Sequence, residues 1–358
     1  MTGVDKRTLR VLLGREAARR IAAEGWSADL FDLLLGASGG AKWLVLGHLD
    51  RLLFGQFLAA RQRPLSVLGS SIGSWRLACL ATADPCAAID RFERAYLEQT
   101  YSYKPGAQEI SEVSRGILDR LLDDGGAEHL LRHPRIQTHI VTTRGRGLAA
   151  ASSRPALTAG MGLAALGNSL SRSLLHLQFQ RVVFHSAAEP RPQLHLSDFR
   201  TAYSPLDAGN VHAALMATGS IPFVLTGERD IAGGPRGHYW DGGILDYHFD
   251  LSQYHGDGLI LYPHFGERIF PGWFDKFLPW RSRSPHEFDR LVMLCPTTDF
   301  IADLPRGKIP DRSDFFELTF EERVDYWERV VERSRVLAEE FAALLAQDDP
   351  LAGTEVLD

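Results

Sequence analysis

One stretch decides the fold of this chain, Pro64-Leu-Ser-Val-Leu-Gly-Ser-Ser-Ile-Gly-Ser-Trp75. A short apolar run ends in Gly69-Ser70-Ser71-Ile72-Gly73, a G-x-S-x-G string, and an apolar, helix-compatible segment follows it. Strand, tight turn and helix in this order are the context that a nucleophile elbow requires. Glycines on both sides relieve crowding in the turn, and the start of a helix favours developing negative charge. The stretch therefore predicts Ser71 as a nucleophile.

A second strand-loop-helix unit lies directly before this one. Phe31-Asp-Leu-Leu-Leu35 is typical of a buried strand, the loop Gly36-Ala-Ser-Gly-Gly-Ala-Lys-Trp43 follows, and residues 43–58 have helical spacing. Two such units in succession imply a parallel sheet with right-handed crossovers. We therefore expect an α/β fold with a mostly parallel central sheet.

The rest of the chain supplies further elements of both kinds. Apolar and β-branched runs predict strands at 136–143, 181–185, 259–262 and 291–295. Helical spacing and caps predict helices at 5–24 (basic and amphipathic), 85–98, 110–122, 163–177, 210–218 and 319–347. No composition shift marks a clear domain boundary. We expect an N-terminal helix within residues 1–28, one domain over 29–302, and a helical extension over 303–358 that packs on it.

Composition and charge exclude several classes of protein. The chain has 358 residues and a formal net charge of −6, which argues against a general nucleic-acid binder. Its three cysteines have no metal-ligand spacing. The N-terminal residues contain no signal-peptide core, and no apolar run approaches the roughly 18 residues of a membrane-spanning helix. From these features we expect a cytoplasmic protein.

The loop at 36–43 is open to several interpretations. Gly36-Ala-Ser-Gly-Gly40 is itself a G-x-S-x-G string and could be the nucleophile elbow. A phosphate-binding loop would need glycine in place of Ala41 and a hydroxyl in place of Trp43. A Gly-rich turn required only for close packing is a further alternative. We favour an oxyanion loop, because glycyl N–H donors beside a second serine elbow complement its chemistry.

Here the sequence resembles a known family, the patatin-like phospholipases. Ser38-Gly-Gly-Ala-Lys42, with Gly47-His-Leu49 after it, is similar to the family's oxyanion motif G-G-G-x-[RK]-G. A G-x-S-x-G elbow comes next in that family, as Gly69 to Gly73 does here, and a D-G-[GA] motif follows later, matched by Asp241-Gly242-Gly243. Ala217-Thr-Gly-Ser-Ile-Pro222 resembles the stretch that leads to that aspartate. Two positions depart from the oxyanion motif: serine replaces its first glycine, and tryptophan its last.

The resemblance implies a three-layer α/β/α fold and a lipid acyl hydrolase that needs neither metal nor cofactor. A Ser71–Asp241 dyad would cleave acyl esters of lipids through an acyl-enzyme. The residues expected to form the oxyanion hole are Ser38, Gly39, Gly40 and Ile72. Lys42 and Trp43 are expected to contact the substrate.

Two rival functions remain open from the sequence. A conventional triad would pair Ser71 with an acid and a histidine, and His264 lies just past a predicted strand, with His255 and His286 as weaker candidates. A non-catalytic lipid- or phosphate-binding protein on the same fold is the other. The intact serine, aspartate and glycine loop argue against it.

Two segments suggest partners beyond the substrate. Residues 262–283 carry seven large aromatic side chains followed by Arg281 and Arg283. Such a segment either covers a core or forms an interfacial lid that contacts a membrane peripherally. The C-terminal helix has an apolar stripe that would pack on the domain or on a second subunit in a homo-oligomer.

Overall fold

The computed structural model describes residues 7–123, 125–189 and 192–357. Its strands are β1 (Leu9–Leu13), β2 (Phe31–Gly36), β3 (Leu65–Ser70), β4 (Ile136–Gly145), β5 (Phe179–His185), β6 (Thr201–Pro205), β7 (Glu228–Arg229), β8 (His238–Trp240), β9 (Leu259–Pro263), β10 (Leu291–Pro296) and β11 (Glu355–Val356). Its α-helices are α1 (Arg15–Glu24), α2 (Gly47–Leu52), α3 (Ile72–Leu80), α4 (Pro85–Leu97), α5 (Ala107–Leu121), α6 (Gly126–Arg132), α7 (Arg154–Leu170), α8 (Val211–Thr218), α9 (Thr298–Asp303), α10 (Asp314–Glu317), α11 (Phe320–Arg333) and α12 (Arg335–Leu345).

Within the described ranges, these strands form one sheet in the order β11-β1-β10-β9-β2-β3-β4-β5-β6, and the hairpin β7-β8 attaches to β4. The run from β10 through β4 is parallel throughout. Strands β3, β9 and β10 are buried along their whole length. A parallel strand that is apolar on both faces needs helices on both faces of the sheet. The predicted α/β class, with its mostly parallel sheet in a three-layer α/β/α arrangement, is confirmed.

The sheet brings three loops to one edge. Gly36 at the end of β2 lies opposite Gly69 in β3, and Ser70 lies opposite Val141 in β4. Strand β8 pairs with β4 through Trp240. Loops at the carboxyl ends of parallel strands form the usual ligand crevice of such sheets, so the residues after β2 and β3 share one site. Strand β8 runs antiparallel to β4 and brings the residues after Trp240 to the same place.

The helix predicted over 5–24 is wrong in its first half. Residues 5 and 6 lie outside the described part, and Leu9–Leu13 is a strand between β10 and β11. The helix begins only at Arg15. A Cβ at Gly14, between the two, would lie 2.2 Å from the carbonyl oxygen of Phe288. Pairing with distant strands therefore overrides the local helical spacing.

The C-terminal extension contributes more than the predicted helix. The helix starts at the predicted capping box of Thr319 and Glu322, but it divides at Ser334 into α11 and α12. Strand β11 then joins the sheet beside β1. In α12, Phe341 packs edge-on against Trp26 at a ring distance of 5.5 Å. The division of the chain at residues 28 and 302 stays a prediction.

The middle of the chain holds a longer helix than expected. The segment 144–160, which has the composition of a turn, contains the start of α7 at Arg154, with proline in its first turn. Helix α7 ends at Leu170, and a short 3₁₀ segment continues to Leu177. Proline is well tolerated in the first turn of a helix, so it marks a helix start here.

Candidate active site

Ser71 lies on a sharp turn between β3 and α3. Its φ of 55° and ψ of −133° are strained for a residue with a side chain. The glycines beside it are required by close packing: a Cβ on Gly73 would lie 2.0 Å from the carbonyl oxygen of Gly36, and one on Gly69 2.6 Å from the Cα of Ser74. The G-x-S-x-G pattern therefore lets the elbow press against the neighbouring loop. The geometry is that of a nucleophile elbow.

Asp241 accepts a hydrogen bond from the hydroxyl of Ser71. Ser71 Oγ donates a hydrogen bond of 2.7 Å to Asp241 Oδ2, and the N–H of Gly243 donates one of 2.7 Å to Oδ1. Burial raises the pKa of Asp241 to about 6, against the lowering effect of these two hydrogen bonds and of Arg312 and Lys276. A carboxylate with this pKa is a stronger base than an exposed aspartate and is still ionised at neutral pH.

Helix α8 and the residues after it hold both members of the pair. The N–H of Ser71 donates to Thr218 Oγ1 at 2.8 Å, and this hydroxyl donates in turn to the carbonyl of Val141 in β4. The N–H of Asp241 donates to the carbonyl of Ser220 at 2.8 Å. The stretch 217–222 therefore ties the serine and the aspartate to the same strand edge.

The loop after β2 faces the elbow with two glycines. Gly40 has a φ of 56°, in the left-handed region, and a Cβ on Gly39 would lie 2.6 Å from the ring of Phe265. Among the described residues, no protein acceptor takes the N–H of Gly39, Gly40 or Ile72. Each of these N–H groups is thus available to a ligand. Ile72 begins α3 directly after the nucleophile but does not line the cavity described below.

Ser38 differs from the prediction that made it an oxyanion donor. Its N–H donates to the carbonyl of Tyr247 at 2.9 Å. Its hydroxyl lies 3.2 Å from the carbonyl of Ser70 and 3.1 Å from the hydroxyl of the same residue. Because its N–H is already bonded to Tyr247, Ser38 has no free amide to offer an oxyanion. Its hydroxyl instead holds the loop against the elbow. The hydroxyl of Ser38 is bonded to Ser70, whereas the hydroxyl of Ser71 is bonded to a carboxylate. Ser71 is therefore the better candidate for the nucleophile.

A cavity of about 440 Å³ opens at this edge of the sheet. Five of the predicted site residues line it together with Ser71: Ser38, Gly39, Gly40, Lys42 and Asp241. The remaining lining residues are Ile221, Pro222, Gly243, Ile244, Tyr247, Trp273, Lys276, Asp311, Arg312, Ser313 and Phe316. Trp273 and Lys276 belong to the aromatic segment 262–283, which was predicted as a core cover or a lid but not as cavity lining. Those from 311–316 were not predicted, because this segment carries no motif that distinguishes it from an ordinary surface loop.

Trp43 is not a substrate contact. Its side chain is 1% exposed and belongs to the hydrophobic core. The indole stacks on Phe92 with ring centroids 4.3 Å apart and meets Tyr96 edge-on at 5.8 Å. Lys42, the preceding residue, does line the cavity, with its ammonium 5.1 Å from the centre of the Phe265 ring. Adjacent residues of a short helix point to different sides, so only one of the pair reaches the site.

None of the histidines proposed for a triad lines the cavity. His264 is buried, and its Nδ1 faces the carbonyl of Gly266. Burial lowers the pKa of His264 to about 3. His255 packs its ring against His195, with centroids 4.6 Å apart. Among the described residues, Asp241 is therefore the side chain that accepts the hydrogen bond of the Ser71 hydroxyl.

In the aromatic segment 262–283, some side chains are buried in the core and others lie at the rim of the cavity. Phe265 and Phe274 are buried, and Trp273 lines the cavity. Phe277 and Trp280 are 70% and 74% exposed. Since Trp273 contacts Phe277 edge-on at 6.2 Å, the exposed aromatics begin where the cavity lining ends. No helix in the described ranges is long and apolar enough to cross a membrane.

Comparisons with known proteins place this site in a family. A family model described as patatin-like phospholipase matches residues 27–248, more than half of the chain. The solved structure of the type III effector protein ExoU is 14% identical with a TM-score of 0.29, over 90% of this chain and 58% of that one. The structure of VipD from Legionella pneumophila is 12% identical with a TM-score of 0.33, over 100% of this chain and 77% of that one. The chain thus spans 58% of the length of ExoU. A search of curated proteins finds no match. The extent of the family match shows that the chain belongs to the patatin-like phospholipase family.

Proposed function

We propose that this protein is a serine lipid acyl hydrolase that cleaves acyl esters with a Ser71–Asp241 dyad. The observation that carries the proposal is the 2.7 Å hydrogen bond from Ser71 Oγ to a buried carboxylate. Membership of the patatin-like phospholipase family supports lipid acyl hydrolysis as the general activity. The dyad and the donors below are inferred from the geometry of this chain.

In the first half-reaction, Ser71 Oγ attacks the ester carbonyl carbon while its proton moves to Asp241 Oδ2. The N–H groups of Gly39, Gly40 and Ile72 hold the oxyanion of the tetrahedral intermediate. A single donor of this kind typically contributes about 10²–10³ to the rate. When the intermediate collapses, the alcohol leaves with the proton from Asp241, and the acyl group stays on Ser71.

In the second half-reaction, water replaces the alcohol. Asp241 takes a proton from the water, whose oxygen attacks the acyl carbon, and the same donors hold the second oxyanion. Collapse releases the carboxylic acid, and the proton returns to Ser71 Oγ. The bonded Gly243 N–H keeps the carboxylate oriented through both steps, because it occupies the oxygen that does not accept the proton.

Labelling with a fluorophosphonate tests the nucleophile directly. We expect the native protein to be labelled, the Ser71→Ala variant to be unlabelled, and the Ser38→Ala variant to be labelled. Ser38 is the matched control, since it is the serine of the other G-x-S-x-G string and lines the same cavity. Labelling that survives Ser71→Ala, or that is lost only in Ser38→Ala, would refute the assignment.

We further propose that the rim of the cavity contacts a lipid surface. Phe277 and Trp280 project from the segment predicted for this role, and α7 beside it has no charged residue from 155 to 171. Three leucines of α7 are exposed by half or more: Leu163, Leu166 and Leu170. Asp275 joins the two elements, because it accepts from Asn168 of α7 at 2.9 Å and from Arg281 at 3.2 Å. Apolar groups beside arginines suit a lipid interface.

Sedimentation with anionic phospholipid vesicles tests this contact. We expect the double variant Phe277→Ser, Trp280→Ser to bind vesicles less than the native protein while its fluorophosphonate labelling is unchanged. The control is Tyr103→Ser, which removes an even more exposed aromatic that does not line the cavity. Equal binding by all three proteins would contradict the proposal. A cytoplasmic location and assembly into homo-oligomers stay predictions from the sequence.

A further inference from the structure

Three cations line the same cavity as the dyad: Lys42, Lys276 and Arg312. Lys42 comes from the loop after β2, whereas Lys276 and Arg312 come from segments beyond the residues that the family model matches. The chain therefore adds positive charge to the site from two separate elements.

Within the described ranges, these cations make no ion pair with a carboxylate. Lys42 is half-buried, and Lys276 and Arg312 are exposed. Lys276 lies 4.5 Å from the centre of the Tyr247 ring and 3.3 Å from its hydroxyl. Lys42 faces the ring of Phe265. Aromatic faces solvate a cation but leave its charge uncompensated.

The two acids that line the cavity, Asp311 and Asp241, offset the charge of the three cations only in part. Asp311 is held by Lys308 at 3.4 Å and by the N–H of Ser313 at 2.7 Å. Asp241 is engaged by Ser71 and Gly243. The pKa of Lys276 is lowered to about 8, mainly by desolvation and then by the charges of Lys42 and Arg312, against the raising effect of Asp311 and Asp241. An anion placed among the three would relieve this repulsion.

We propose that Lys42, Lys276 and Arg312 form a subsite for an anionic headgroup, so that the enzyme selects acyl esters carrying a phosphate oxyanion over neutral esters. The selection rests on the proposed acyl hydrolysis at Ser71, whose hydroxyl lines the same cavity. Ammonium and guanidinium groups are the side chains that hold phosphate oxygens, and a charge-assisted hydrogen bond is about twice as strong as a neutral one.

Monomeric short-chain lipids test the subsite without a lipid surface. The probes are dihexanoyl phosphatidate, dihexanoyl phosphatidylglycerol and neutral dihexanoylglycerol, each below its critical micelle concentration. We expect the native enzyme to have a kcat/KM at least about tenfold higher for the two anionic probes, the usual effect of a hydrogen bond to a charged group. Equal values for all three would overturn the proposal.

Variants identify the residues responsible. Lys276→Gln and Arg312→Gln should each lower kcat/KM for the anionic probes about tenfold and change that for dihexanoylglycerol less than threefold. Lys276→Arg should keep most of the preference, because the charge remains. The control is Arg335→Gln, which removes an exposed cation outside the cavity lining. Equal losses on neutral and anionic probes would show a structural role and refute the subsite.

Binding to the Ser71→Ala variant separates this inference from the proposed function. Calorimetric titration should give tighter binding of dihexanoyl phosphatidate than of dihexanoylglycerol, and Arg312→Gln in the same background should remove the difference. This result requires no turnover, so the subsite can stand if the hydrolase assignment fails. If turnover depends on Ser71 but binding shows no preference for phosphatidate over dihexanoylglycerol, the hydrolase assignment stands and the subsite is refuted. The same titration with hexanoate is a second test. If hexanoate binds as tightly as dihexanoyl phosphatidate, the site holds the released carboxylate and the headgroup assignment is wrong.

Discussion

Replacing Asp241 by asparagine should remove the activity and also a loss of stability that the native protein suffers as the pH rises from 4 to 7. The carboxyl group is 8% exposed, and burial raises its pKa from 3.8 to about 6. Asparagine has the same shape and can still accept the hydrogen bond of Ser71 through its oxygen, but its NH2 group then faces the N–H of Gly243, which donates to Asp241 Oδ1 in the native protein. The substitution therefore removes the buried charge and one hydrogen bond. Because the loss of that bond does not depend on pH, the pH dependence of stability isolates the effect of the charge.

The magnitude follows from the change in pKa. A rise from 3.8 to about 6 corresponds to about 3 kcal/mol, at 1.36 kcal/mol per unit. Below pH 3.8 the carboxyl is protonated in both the folded and the unfolded chain, and it costs nothing. As the pH rises from about 4 to about 6, the unfolded chain loses the proton first, so the native protein loses stability relative to the variant. Above pH 6 the difference is constant.

Urea unfolding of both proteins at several pH values between 4 and 8 measures this difference. We expect the free energy of unfolding of Asp241→Asn, minus that of the native protein, to increase by about 2 kcal/mol between pH 4 and pH 7, because a small part of the full change is already present at pH 4. Asp257→Asn, an exposed aspartate, is the control for loss of a carboxylate. A difference that stays flat or falls over this range would refute the assignment of Asp241 as a desolvated base.

Three further predictions concern the same site and its surroundings. First, kcat/KM for a soluble ester should rise with pH and level off above an inflection near pH 6, because Asp241 must be ionised to accept a proton; a pH–rate profile with no inflection between pH 5 and 7 would contradict this. Second, Trp43→Ala should lower the free energy of unfolding by about 3–5 kcal/mol, measured by urea titration, while the folded variant is still labelled by a fluorophosphonate; an unchanged stability would mean that the indole is not in the core. Third, His264→Asn should keep fluorophosphonate labelling within a few-fold of native, whereas the triad that the sequence left open predicts that labelling is lost.

Much of the fold could be predicted because its signals are local. The apolar runs at β2, β3, β9 and β10 are strands that are buried on both faces, and such strands need no partner to be recognised in a sequence. Strand β1 was mistaken for a helix because its partner β10 lies about 280 residues away in the chain. Its apolar spacing fits a helix as well as a strand, and only the long-range pairing decides between them.

The site likewise has one part that sequence motifs predict and another part that only the folded chain brings together. Ser71, Asp241 and the glycines of the oxyanion loop belong to short motifs whose order in the chain indicates their roles. The opposite wall of the cavity comes from 273–276 and 311–316, where ordinary surface residues acquire a role only through folding. Trp43 was assigned to the substrate because it occupies a motif position, but the side of the helix on which it lies depends on packing against Phe92.

The proposed dyad depends on sheet register more than on the side chains themselves. Asp241 follows β8, which is placed by the pairing of Trp240 with Thr143, and Ser71 follows β3, which is placed by the pairing of Ser70 with Val141. Both pairings use β4, so this strand sets the separation of the base from the nucleophile. A shift of one residue in either pairing would turn every side chain of the shifted strand to the other face of the sheet. Thr218 opposes such a shift on the β3 side, because its hydroxyl joins the N–H of Ser71 to the carbonyl of Val141. In a serine–aspartate pair, no histidine ring lies between the two side chains to adjust to a change in their separation. The strands must therefore fix the distance from the serine hydroxyl to the carboxylate.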